Sequence, residues 1–197
     1  QVCLSSISGG SDIISCFALG NPILPVYRGA LQCLGLGMNV QVFDEEGHSV
    51  TAQKGELVCT SPFPSQPVCF WNDPEAKKYH AAYFNQHPNV WAHGDYAMLT
   101  QHGGLIIYGR SDTTLNPGGV RIGTAEIYQP LETIDEVIDA LAVGQCWQDG
   151  ERIVLFVVLR ETSHLTKTLI KTIKNVIRDH ASPHHVPAKI IAVPDLP

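Results

Sequence analysis

No uninterrupted apolar run of roughly 18 residues or more occurs in this sequence, and no charged-then-apolar leader opens it, so nothing signals membrane insertion or secretion. Basic residues are scarce as well: 13 Lys and Arg stand against 19 Asp and Glu, a formal net charge of -6. That balance argues against a nucleic-acid partner, because such domains carry a clustered basic excess. Closely paired cysteines are also missing. The six present, Cys3, Cys16, Cys33, Cys59, Cys69 and Cys146, lie far apart without the spacing of a zinc site, and several sit in apolar runs such as Glu56-Leu57-Val58-Cys59-Thr60. Reduced, buried thiols in a cytoplasmic protein are expected. There is no internal repeat and no low-complexity tract, and a first residue other than Met fits a fragment.

With 197 residues and 44% hydrophobic content, the chain can bury one sizeable core or two modest ones. Up to residue 110 it reads as short strands: Val2 to Ile7, Val40 to Phe43, Glu56 to Thr60, Tyr96 to Thr100 and Leu105 to Tyr108. Turn signals at Asp44-Glu45-Glu46-Gly47 and Gln101-His102-Gly103-Gly104 predict antiparallel hairpins. One helix interrupts them, capped by Asp73 with Pro74 in its first turn. From residue 111 the pattern alternates: a helix capped by Thr124, strands at Ala140 to Val143 and Ile153 to Leu159, a helix from Thr166 to His180, and a strand at Lys189 to Val193. The expected class is α+β, with a β-rich region over residues 1–110 and a small α+β domain over 111–197.

Tyr108-Gly109-Arg110-Ser111-Asp112, followed by Asn116-Pro117-Gly118-Gly119-Val120-Arg121 and a helix start, places cationic forks on a backbone able to bend. Phosphate handling across a hinge is the chemistry this suggests. Arg110 has a plainer alternative in a surface ion pair with Asp112, and Gly118 and Gly119 in an ordinary loop. Asp95 follows His93-Gly94 and could accept two hydrogen bonds from a vicinal diol, or be a simple turn aspartate. Ser8-Gly9-Gly10-Ser11-Asp12 could cradle a nucleotide, though a glycine-rich turn alone is a weak signal. On the helix from Thr166, Lys167, Lys171, Lys174 and Arg178 fall on the face opposite Leu169 and Ile173, as a solvated face would. His180 and His184 are four apart, but Pro183 ends the helix between them and spoils a metal pair. Trp71, Trp91 and Trp147 read as packing residues.

These motifs, together with Phe70-Trp71-Asn72-Asp73-Pro74, Trp91-Ala92-His93-Gly94-Asp95 and Ser182-Pro183-His184-His185-Val186-Pro187, resemble the adenylate-forming enzymes: acyl-CoA synthetases, adenylation domains and luciferases. The resemblance implies the end of a large AMP-binding domain followed by a small mobile lid. It implies that Gly9, Gly10 and Ser11 meet AMP or ATP, with Ser11 facing the α-phosphate, and that Asp12 stands where a glutamate usually helps to hold Mg²⁺. Asp95 and Arg110 would take the ribose and Asp112 would be the hinge. Arg121 would stabilise the leaving pyrophosphate, with Gly118, Gly119 and Arg178 on the CoA side. Ser8 and Gly9 replace tryptophans of acetyl-specific relatives, which opens room for a longer acyl group such as acetoacetate.

The resemblance implies a reaction that joins acetoacetate, ATP and CoA through an acyl-adenylate. The family's phosphate loop would lie upstream of Ser8 and its catalytic lysine downstream of Pro197, so the chain alone is expected to be inactive. Another short-chain acid ligase and a non-catalytic nucleotide-binding module remain alternatives, and oligomeric state is left open.

Overall fold

The computed structural model describes residues 4–148 and 150–197. It divides into two compact units, one ending at Ile107 and one spanning Tyr108–Pro197. In the first, β1 (Ser8–Gly10), β2 (Ser15–Leu19) and β3 (Cys33–Leu34) form one small antiparallel sheet. A second sheet has the order β4 (Val40–Phe43), β5 (Lys54–Cys59), β6 (Trp91–Leu99) and β7 (Leu105–Arg110), with one helix, α1 (Lys77–Tyr83), packed beside it. Asp44 Oδ1 accepts from the N–H groups of Glu46 and His48, and Thr100 Oγ1 from Gly104, so both expected turns are closed by their own side chains. Val42, Leu57, Phe63, Tyr79, Trp91 and Leu105 make the core.

The expected strand from Val2 to Ile7 is not formed. Val2 and Cys3 lie outside the described residues, while Leu4 and Ile7 are exposed and the strand begins at Ser8 instead. Strand β6 starts five residues earlier than Tyr96, which puts Asp95 inside a strand rather than in a turn. Helix α1 also differs from expectation: it begins after Ala76, whose φ of 53° breaks any continuation from Pro74. Asp73 still serves it, because its Oδ2 accepts from the N–H of Tyr79 at 2.9 Å. Trp71 is exposed at 96%, so it packs against nothing here, while Trp91 is buried at 1%. Among the thiols, Cys59 is buried and its pKa is pushed up by that burial, whereas Cys69 and Cys146 are exposed, against expectation.

In the second unit, β8 (Val137–Trp147) pairs antiparallel with β9 (Gly150–Leu159), and β10 (Lys189–Ala192) joins β9 in parallel. The parallel pair requires a crossover, supplied by α3 (Lys167–His180). Thr166 Oγ1 accepts from Leu169 N at 3.1 Å and caps that helix, and Leu169, Ile173 and Ile177 face the core. They meet Ile153, Leu155 and Ile190 of the sheet and Ile127 and Leu131 of α2 (Ala125–Leu131). Thr124 precedes α2 without its hydroxyl capping it; the Glu126 carboxylate takes the N–H of Gly123 instead. Trp147 is half exposed and carries Arg152 over its ring at 3.5 Å. Among the described residues no helix is long and apolar enough to cross a membrane.

Burial acting on Asp73 would raise its pKa, but the backbone N–H groups of Tyr79, Lys78 and Lys77 and the Lys78 charge outweigh it and hold the carboxyl below its ordinary value. A depressed folded pKa contributes stability that is fully present above the unfolded value of about 3.9 and lost as pH falls through the folded one. Asp73→Asn is therefore expected to destabilise at neutral pH, with the gap to wild type closing on acidification. Denaturant unfolding at a series of pH values checks this; a gap that persists at the acid end contradicts it.

Candidate functional site

The register between β5 and β6 slips at one place. Glu56 pairs with Tyr96 and Val58 with Ala92, so Leu57 stands opposite three residues, His93-Gly94-Asp95. Gly94 takes φ of 82°, a conformation open to glycine, and its N–H donates to the buried Glu56 Oε1 at 3.0 Å. This bulge carries His93 and Asp95, both buried, with His93 Nε2 at 3.9 Å from Asp95 Oδ2. Trp91 Nε1–H donates to His93 Nδ1 at 3.3 Å, and Tyr83 of α1 stacks on Trp91 at 3.6 Å between ring centroids.

Strand β1 comes to the same place. A Cβ built on Gly10 would lie 3.1 Å from His93 Cε1 and 2.0 Å from Asp12 Oδ1, so no larger residue fits without displacing one of them. Asp12 is held by both oxygens, Oδ1 accepting from Ile13 N at 3.1 Å and Oδ2 from the Tyr83 hydroxyl at 2.5 Å. Asp12, Tyr83, Trp91, His93 and Asp95 thus form one chain of contacts in which two expected site acids are the ends. Ser11 is exposed in the turn after β1. Gly9 has a packing reason of its own to lack a side chain, because a Cβ there would stand 2.2 Å from Ser15 O. Among the described residues no group of three or more His, Cys, Asp or Glu could by itself hold a metal ion. Asp12 fits Mg²⁺ only as a single protein carboxylate, with ligand oxygens and water supplying the rest of an octahedron.

Arg110, Arg121 and Arg178 belong to the second unit, which begins at Tyr108 within β7. Arg110 ends β7, its Nε is 3.6 Å from Asp112 Oδ1, and both side chains are more than half exposed. Its carbonyl accepts from the hydroxyls of Thr113 and Thr114, which fixes the short turn Ser111–Thr113 on which Asp112 sits. Leu115 and Ile122 then exchange both backbone hydrogen bonds, at 2.9 and 2.8 Å. They close a loop that turns at Gly118 and Gly119 and has Arg121 beside its neck. Gly118 and Gly119 have φ of 63° and 83°, and a Cβ on either would meet nothing within 4 Å. The glycines are demanded there by backbone conformation, and the surface they present is open. Arg178 is exposed on α3, its Nη1 donating to Asn175 of the same helix, and among the described residues it makes no hydrogen bond to that loop.

Two anchors of this loop are not apparent from the sequence. Glu151 of β9 accepts from Asn116 N at 2.6 Å while its carboxylate lies over Gly144 of β8, where a Cβ would come within 2.5 Å of its Cδ. His185 is buried, with Nδ1 2.9 Å from Ser182 Oγ and Nε2 3.5 Å from Glu126 Oε2, the residue that holds Gly123 N. A cleft of about 350 Å³ opens beside the loop, lined by Asp112, Thr114, Thr124, Tyr128, Gly144 and Glu151. Glu151→Ala is expected to leave the Asn116 amide without its partner and to speed its hydrogen exchange about fivefold, the size of one ordinary hydrogen bond. Exchange unchanged at Asn116 contradicts the anchoring role.

Residues 126–197 match the family model for the AMP-binding enzyme C-terminal domain. The chain is 62% identical over 197 residues to acetoacetyl-coenzyme A synthetase of Rhizobium meliloti (strain 1021), covering 100% of this chain and 30% of that protein. To acetoacetyl-CoA synthetase of Rattus norvegicus it is 50% identical over 198 residues, again 100% of this chain and 30% of the relative. Among solved structures, acetoacetyl-CoA synthetase from Streptomyces lividans superposes with a TM-score of 0.92 at 44% identity, over 98% of this chain and 29% of that one. A benzoate CoA ligase from Burkholderia xenovorans LB400 superposes with a TM-score of 0.79 at 25% identity, over 98% and 37%. The chain spans about 30% of the length of the curated relatives it matches.

Proposed function

We propose that this chain, which carries the C-terminal domain of the AMP-binding enzymes and is homologous along its whole length to acetoacetyl-CoA synthetases, forms part of an ATP-dependent acid-CoA ligase acting on acetoacetate. The observation that carries the reading is the bulge at His93-Gly94-Asp95, which presents a buried carboxylate beside a glycine-rich strand end, within a chain similar to those ligases throughout. Residues 1–110 are read as the end of the large AMP-binding domain and 111–197 as its small mobile lid. The five free thiols among the described residues support a cytoplasmic location, where thiols stay reduced.

In the first half-reaction the acetoacetate carboxylate attacks the α-phosphorus of ATP and pyrophosphate leaves, giving acetoacetyl-AMP. Asp95 accepts the ribose diol, Arg110 contributes to the same sugar, and Ser11 with the Gly9-Gly10 backbone faces the α-phosphate. Arg121 offers its guanidinium to the charge that develops as pyrophosphate departs. Mg²⁺ supplied with the nucleotide would neutralise phosphate charge, with Asp12 as its protein-side carboxylate. In the second half-reaction the CoA thiol attacks the mixed anhydride and AMP leaves. The positive-φ pair Gly118 and Gly119 lets backbone without side chains pass beside the thiol, and Arg178 would meet the CoA phosphates. Rotation about Asp112, in its short turn, exchanges one arrangement for the other.

The test is pyrophosphate release by a complete polypeptide carrying these residues, with acetoacetate, acetate, propionate or butyrate. Preference for acetoacetate is expected, and Arg121→Ala is expected to lower turnover about a hundred- to a thousandfold. Equal use of the four acids would make it a general short-chain ligase. No turnover with any of them would favour a nucleotide-binding module.

A further inference from the structure

We infer that His93 is a positioning residue for Asp95, set by Trp91, and that it governs how sharply the site distinguishes a ribonucleotide from a deoxyribonucleotide. The inference rests on the reading of Asp95 as the ribose ligand and deepens it. The His93 side chain is 6% exposed and is fixed on several sides. The Phe17 ring meets it edge-on at 4.7 Å between centroids, and Gly10 leaves room for its Cε1. The indole N–H of Trp91 can only donate, so the Nδ1 it reaches must accept, and the ring proton of the neutral imidazole sits on Nε2. That N–H is carried on the nitrogen nearest Asp95 Oδ2, at 3.9 Å.

At this separation the two groups are a dipole and a carboxylate, and an approach of about 1 Å on ligand binding turns them into a hydrogen bond. A vicinal diol presents two donors whose spacing matches the two oxygens of a carboxylate, but only a carboxylate held in one rotation can take both. The bulge fixes the Asp95 main chain through Glu56 and Gly94, and His93 stands where it would fix the rotation of the carboxylate once the ligand draws the two together. Without His93 the carboxylate can still take one hydroxyl and loses much of its advantage with two. The Trp91-His93 pair is thereby a specificity device for the sugar, distinct from the residues that meet phosphate.

The experiment compares kcat/KM for ATP and 2′-deoxy-ATP in a complete polypeptide carrying these residues, for wild type, Asp95→Asn, His93→Ala, His93→Gln and Trp91→Phe. Wild type is expected to prefer ATP, and Asp95→Asn to lose the preference. His93→Ala should lower the ratio about tenfold, the scale of one hydrogen bond to a charged group. His93→Gln, which keeps a donor, should recover part of it. Trp91→Phe keeps an aromatic ring against Tyr83 but drops the indole N–H, and should lower the ratio even if His93→Ala fails to fold. A generally damaged site would lower both rates and leave their ratio unchanged. If the His93 and Trp91 variants keep the wild-type ratio while Asp95→Asn loses it, the positioning role is wrong and the ribose reading stands. If Asp95→Asn keeps the ratio, the ribose reading fails and the inference falls with it.

Discussion

The hydrogen bond from Gly94 N to the Glu56 carboxylate holds three residues of β6 against one residue of β5. The bulge gathers Glu56, His93 and Asp95 as buried polar groups in a unit whose core is otherwise aromatic and aliphatic. Such groups are tolerated only where each finds partners. Trp91, central to that core, is also the donor to His93, so the packing of the unit and the geometry of its site share a residue.

The second unit solves a different problem. Its loop from Asn116 to Arg121 has two glycines of positive φ and an open surface, and three contacts hold its ends. The Leu115–Ile122 pair closes its neck, Glu151 holds one side, and Glu126 with His185 holds the exit at Gly123. All three anchors stand on a sheet and helices whose apolar face is buried through Ile153, Leu155, Ile173 and Ile177.

Much of this was legible in the sequence where one physical signal acted alone. Apolar residues at helical spacing after Thr166 gave α3, and the Asp44 and Gly103 turns gave two hairpins. Signals that competed were misread. The expected strand begins at Tyr96, after His93-Gly94-Asp95, because glycine breaks strand patterns, yet here glycine permits a bulge within β6. Asp73-Pro74 carries a helix-start signature, but Ala76 turns the chain first. Strand β8 runs far beyond Ala140 to Val143 because Asp139 and Gln145 face outward and hide its period. The Glu151–Asn116 bond joins residues 35 apart, and no local pattern encodes such a partner.

The most direct test is a structure of a complete polypeptide carrying these residues with an acyl-adenylate bound, reading the distances from the ribose hydroxyls to the Asp95 carboxylate. Both hydroxyls within about 3 Å of its two oxygens, the ordinary range for such bonds, is the result the account predicts. A ribose held elsewhere, with Asp95 facing only His93 and the bulge, would contradict it.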